Sequence, residues 1–129
     1  MRVLCLLLLG FGFSAEALAG PGWERLGTRE VKIRGERDTI PVTVKDGRFS
    51  KLKLKVLKNG VRFMDLKVHF GNGEVHDVAI RNLIPAGGET RVIDLPGRKR
   101  VIKKVVFTYR TDKMGRRAAR ATVLLFGKH

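Results

Sequence analysis

The residues with the clearest chemical potential are cationic. Leu95 to Lys104 reads "LPGRKRVIKK", in which Arg98, Lys99, Arg100, Lys103 and Lys104 place five positive side chains within seven residues. Arg116 and Arg117 add a doublet further on. Guanidinium and ammonium groups at that density attract phosphate, sulfate and carboxylate, so the chemistry on offer is polyanion binding. The second candidate is a pair of imidazoles. Asn72-Gly73 is a strong hairpin signal, and a two-residue loop centred there sets His69 directly opposite His76 on one face. Imidazoles so placed can sense pH or ligate a metal, but a metal needs a third ligand. The neighbours expected on that face are Lys67 and Val78, so a solvated cross-strand pair is expected and no metal site.

Catalytic groupings do not assemble. Past Ala19 the chain has no cysteine, and Ser50 is its one serine, with no nucleophile motif around it. Gly71-x-Gly73 and Gly87-Gly88 do not open helices, so they read as hairpin turns and not as phosphate loops. The acids are scattered among more numerous bases and read as local salt partners. No catalytic residue, no cofactor and no enzymatic activity are expected.

Compartment follows from the first residues. Met1-Arg2 is a minimal positive start, Val3 to Phe13 is an almost continuous apolar run, and Ala17-Leu18-Ala19 is a small-residue cleavage pattern. This is the three-part arrangement of a secretory signal peptide over residues 1–19, with an apolar run too short to span a bilayer. Cys5 lies inside that run, unlike a lipoprotein anchor, which follows it. The expectation is a soluble product beginning at Gly20, periplasmic or secreted, with no transmembrane segment. Losing Arg2 and Glu16 takes the 27 bases to 26 and the 12 acids to 11, so the net charge stays at +15.

The elements that must position these charges are strands. "KLKLKVLK" from Lys51 to Lys58 alternates strictly, with Leu52, Leu54 and Val56 pointing one way and the lysines the other. The same period of two appears over 29–34, 39–44, 61–70, 75–80, 90–95, 100–110 and 119–126. Turn signals such as Lys45-Asp46-Gly47, Asn59-Gly60 and Ala86-Gly87-Gly88 separate them, and no stretch carries a helical stripe. About eight short strands in residues 20–129 predict one all-β domain, an antiparallel β-sandwich, with a small barrel as the alternative. Pro41 cannot donate to a ladder and predicts an edge strand.

Within that frame the basic stretch reads as a hairpin. A loop centred on Pro96-Gly97 sets Asp94 opposite Lys99 and Glu89 opposite Lys104, which neutralises part of the cluster. The doublet Lys103-Lys104 breaks alternation, and a β-bulge there leaves Ile102, Val105, Phe107 and Tyr109 inward and both lysines in water.

A charge of +15 exceeds the magnitude of about 2–8 that solubility asks of a small domain, so the excess points to a partner. For an exported chain the candidates are an anionic polymer or an anionic lipid surface. Specific nucleic-acid readout is disfavoured, because Phe70, Phe107 and Phe126 fall at core positions and leave few rings for stacking. Arg116-Arg117 lie about 30 Å from Arg98 along the strand, which suits a broad electrostatic surface better than a reading groove. The alternative is a structural or accessory envelope protein with a protein partner, its charge serving solubility and blocking edge pairing.

Trp23-x-x-Leu26-Gly27, "LKVHF" at 66–70, the segment Ile84 to Tyr109 and "ATVLLFG" at 121–127 together resemble small exported bacterial proteins grouped as a domain of unknown function. The resemblance spans most of the chain past residue 19. It implies a periplasmic or secreted β-domain and brings neither catalytic residues nor a ligand.

Overall fold

The structure, a computed structural model, describes residues 20–32, 37–42, 47–111 and 120–129. Alternation of apolar and polar residues makes each strand two-faced, and two sheets bury their apolar faces against each other. The first sheet contains, side by side, β1 (Glu24–Lys32), β10 (Arg120–Lys128), β4 (Lys51–Leu57) and β8 (Ile93–Asp94). In the second the neighbours are β2 (Arg37–Pro41), β9 (Arg100–Thr111), β5 (Val61–Phe70) and β6 (Val75–Val78). Two short strands join this second sheet, β3 (Arg48–Phe49) on β9 and β7 (Leu83–Ile84) on β5. All pairings are antiparallel and neither sheet closes, so the protein is an open all-β sandwich and not a barrel. β3 and β7 are additional to the eight strands expected. β2, with Pro41 at its end, is an edge strand, as its missing donor requires.

The core repeats the sequence pattern. Leu52, Leu54 and Val56 of β4 are fully buried, as are Ala121 and Val123 of β10, Phe63 and Val68 of β5, and Ile102, Val105 and Phe107 of β9. The apolar run in β10 is continuous because this central strand buries both faces. Its other face adds Leu124 and Phe126, which pack with Trp23 and Leu57 into a second cluster outside the first sheet. That cluster changes the fate of one lysine expected in water. Lys53 is only 7% exposed, with its ammonium 4.5 Å from the Trp23 ring centroid and 3.1 Å from Glu89.

Two bulges keep the second sheet's inner faces apolar. Between His69↔Lys104 and Phe70↔Ile102, β9 holds one residue more than β5, and the extra residue is Lys103. Ile102 and Val105 therefore both face the core although three positions apart, and Lys103 stays exposed. The expected bulge is present. A second, between Phe63 and Asp65, inserts Met64 into β5 and lets Phe63 and Leu66 both point inward.

The two hairpin expectations are corrected. β5 and β6 pair as Val68↔His76 and His69↔Val75, one residue away from the expected register. The loop is three residues long, with Phe70 and Glu74 closing it and Gly73 at φ 96°, a left-handed conformation that glycine adopts without strain. A one-residue slip exchanges faces, so His69 points to the outer side of the sheet and His76 shares the side of Val68. The imidazoles are not opposite each other.

Nor is Pro96-Gly97 the turn of a hairpin. β8 pairs with β4 in the first sheet, Lys51 opposite Asp94, and the Leu95 amide donates to the Ser50 carbonyl at 2.9 Å. The chain then crosses through Gly97 (φ 87°) and Arg98 (φ 68°) into β9 of the other sheet. Asp94 therefore meets Lys51 at 2.6 Å, and Glu89 meets Lys53 and Lys55 at 3.1 and 3.8 Å. Neither acid neutralises Lys99 or Lys104.

Candidate functional site

Each residue of the basic stretch has a separate fate. Arg98 and Lys99 are exposed at the crossover between sheets. Arg100 turns inward at the end of the sandwich, its guanidinium 3.9 Å over the Phe70 ring and its NH1 donating to the Pro96 carbonyl at 2.9 Å. It also pairs with Glu74, and that contact holds the Glu74 carboxyl below its ordinary range. Arg100 is therefore a structural cap on the core. Lys103 and Lys104 lie further along β9, on its outer side. Arg116 and Arg117 lie outside the described residues.

Two clefts receive what remains. One, of about 460 Å³, is lined by Arg48, Lys99, Arg100, Phe70, Asn72 and Val101 where β3 meets β9. The other, of about 380 Å³, runs over the outer face of the second sheet. It is lined by Arg37 and Thr39 from β2, Lys104, Val106 and Thr108 from β9, and Asp65, Lys67 and His69 from β5. The register explains the assembly. Lys104 stands between Pro41 and His69, and Thr108 between Arg37 and Asp65. Arg37, Arg48 and Lys67 were not among the expected site residues, because their membership depends on which strands are neighbours.

The electrostatics of this face are lopsided. Every Asp and Glu among the described residues has a basic partner: Glu24 with His129, Glu30 with Lys58, Asp38 with Arg29, Asp65 and Asp77 with Lys67, Glu74 with Arg100, Glu89 with Lys53, and Asp94 with Lys51. Arg37, Arg48, Lys99, Lys103 and Lys104 have no carboxylate partner among the described residues. His69 registers this field. Burial first, then Lys104, Lys103 and Lys67, push its pKa below the ordinary histidine value.

Groups for nucleophilic chemistry are committed elsewhere. The Ser50 hydroxyl faces the Lys128 and His129 carbonyls, each at 3.4 Å, while the His129 imidazole is engaged by the Arg48 carbonyl and the Glu24 carboxylate at 2.8 and 2.9 Å. Among the described residues no three His, Cys, Asp or Glu side chains gather as a metal would require, and no helix is long and apolar enough to cross a membrane.

An open antiparallel sandwich with a basic outer face is thus the class that the fold and the clefts define. By its sequence the chain belongs to a family described as a domain of unknown function, DUF2541, whose model matches residues 2–127. No curated protein matches the chain. A solved structure described as the structural and functional characterization of Pseudomonas aeruginosa AlgX is similar over 82% of this chain and 27% of that one, at 13% identity and a TM-score of 0.49. The chain spans about a quarter of that protein's length, and so distant a likeness carries no argument about activity.

Proposed function

We propose that this is an exported, non-catalytic binding domain that holds an anionic polymer or anionic lipid surface of the cell envelope or extracellular space through Lys and Arg. The observation that carries the reading is the charge imbalance of the outer sheet face. The described acids are all engaged, while Arg37, Arg48, Lys99 and Lys104 line two clefts and Lys103 is exposed beside them. Other cations without a carboxylate partner, among them Lys32 and Arg120, lie on the first sheet, but those that line a common cleft repel one another and disfavour the folded state, which solubility alone does not require. Export rests on the pattern of residues 1–19, and the absence of assembled nucleophile or phosphate-loop motifs supports a binding role over a catalytic one.

The test is retention of the purified protein on immobilised heparin, DNA and lipopolysaccharide across a salt gradient. A polyanion binder elutes late from at least one of them with a steep dependence on salt. Elution from all three in low salt overturns the reading and leaves a protein-partnered accessory role in its place.

A further inference from the structure

The outward row of β9 continues well past the two clefts. The Lys103 bulge resets alternation so that Val101, Lys104, Val106, Thr108 and Arg110 all face away from the core, with Lys103 exposed beside them. The neighbouring strands add cations in register. Arg48 stands opposite Val101, Arg37 opposite Thr108, and Arg62 opposite Arg110. Val101 to Arg110 spans about 30 Å at roughly 3.3 Å per residue. No described element packs over this row, and the two carboxylates along it, Asp65 and Asp77, are both bound to Lys67 at 3.3 and 3.2 Å.

We infer that the outer face of β9 is a lane for one linear polyanion, running from Arg48 and Lys99 past Lys103 and Lys104 to Arg37, Arg62 and Arg110. The inference rests on the polyanion-binding reading above and names where, and in what form, the ligand lies. A single chain fits better than a membrane surface for two reasons. The cations flank a recessed strip in which Lys104, Val106 and Thr108 are half-buried, which a polymer can enter and a plane of headgroups cannot. The exposed apolar side chains beside the strip, Val75 opposite His69 and Leu83 opposite Arg62, stand far apart and neither is aromatic, which gives little to insert among lipids. Its Thr39 and Thr108 hydroxyls supply neutral hydrogen bonds to a hydroxylated or phosphorylated backbone between charges.

Size-fractionated heparin is the probe, with the purified protein and two triple variants of equal charge change. Lys99→Gln/Lys104→Gln/Arg110→Gln strips the lane, and Arg25→Gln/Lys32→Gln/Arg120→Gln removes three cations of the other sheet. Affinity is expected to climb with fragment length until about 30 Å is spanned and then to level. The lane variant should lose about tenfold or more, with the slope of log affinity against log salt reduced by about 2 to 3, while the off-lane variant loses about threefold at most. Matching denaturation midpoints establish that both variants fold. Equal losses in the two variants, or affinity independent of length, overturn the lane but leave polyanion binding standing. Vesicles of phosphatidylglycerol and phosphatidylcholine that bind more tightly than any fragment overturn it in favour of a lipid surface. If the unaltered protein binds none of heparin, DNA and lipopolysaccharide in low salt, the underlying reading fails and the lane with it; retention on lipopolysaccharide alone overturns the lane and leaves the reading standing.

Discussion

Arg29 on β1 reaches across the open edge of the sandwich to Asp38 on β2, Nε to Oδ1 at 2.9 Å, so that one ion pair links the two sheets. The other carboxylate oxygen of Asp38 accepts the hydroxyl of Tyr109 at 2.8 Å. The three side chains form a polar seam beside Phe107, whose ring lies 5.5 Å from that of Tyr109. Asp38 is only 16% exposed at its side chain, which makes the seam more than a surface ornament.

Tyr109→Phe should lower stability by about 1–2 kcal/mol, since it removes one charge-assisted hydrogen bond from a partly buried carboxylate. Burial, and then the Asp38 carboxylate, push the Tyr109 phenol above its ordinary value. The folded state therefore holds this proton more tightly than the unfolded chain does. Its stabilisation is complete below about pH 10, the unfolded value, and is lost as pH rises towards the folded one. Tyr109 is the single tyrosine. Phenolate absorbance should accordingly stay absent in alkali until the protein unfolds; a phenolate signal at about pH 10 with native circular dichroism would contradict this.

On the proposed reading, His69 should make anion binding depend on pH. It faces Lys67 and Asp65 of its own strand, Lys103 and Lys104 of β9, Arg37 of β2 and Asp77 of β6. Its lowered pKa keeps it neutral near pH 7, and an anion beside Lys104 relieves the repulsion and favours the imidazolium. By linkage, protonation then favours the anion, so affinity for heparin should rise as pH falls below about 6.5 and level once His69 is charged in the free protein. A gain of about fivefold is expected, equivalent to one added charge near the ligand. His69→Gln should flatten the profile, and an unchanged profile in that variant would assign the pH dependence to other groups.

The bulge at Lys103 is a matter of register, which predicts a contrast between two changes at one position. Lys103→Ala keeps the extra residue and should alter stability by less than about 0.5 kcal/mol. Deleting Lys103 moves Ile102 and everything before it to the opposite face, and should cost more than about 3 kcal/mol. Urea denaturation of the two proteins measures the difference.

Arg100 and Lys99 are neighbours with opposite roles. Arg100→Gln loses the contact over Phe70, the Pro96 hydrogen bond and the Glu74 pair, and should destabilise by about 1–2 kcal/mol. Lys99→Gln should leave stability within about 0.5 kcal/mol and weaken heparin retention. Thermal melts and salt elution of both variants separate these outcomes.

Much of the fold was legible because alternation is local information. Leu52, Leu54 and Val56 declare their common face to any reader of the sequence, as do Val105, Phe107 and Tyr109, and all six are buried. The Lys103-Lys104 bulge was legible for the same reason: two adjacent charges cannot occupy opposite faces when one face is apolar. What misled was pairing. Asn72-Gly73 looked like a two-residue turn, but the loop begins at Gly71, and that one residue separated His69 from His76. Pro96-Gly97 looked like a hairpin, but β8 finds β4 and not β9, so Asp94 and Glu89 went to other lysines.

The sequence by itself therefore determined that the chain is strongly basic, that it forms strands, and how the side chains of most strands divide between two alternating faces, because charge count and period two belong to single segments. Only the tertiary structure decided which outer side chains share a face, because that depends on strand order and register. It brought Arg37, Arg48 and Arg62 alongside β9 from distant segments, and it turned Arg100 away from solvent to close the end of the core. It also set the acids against lysines elsewhere in the fold, since carboxylates pair with whatever cation the neighbouring strand presents.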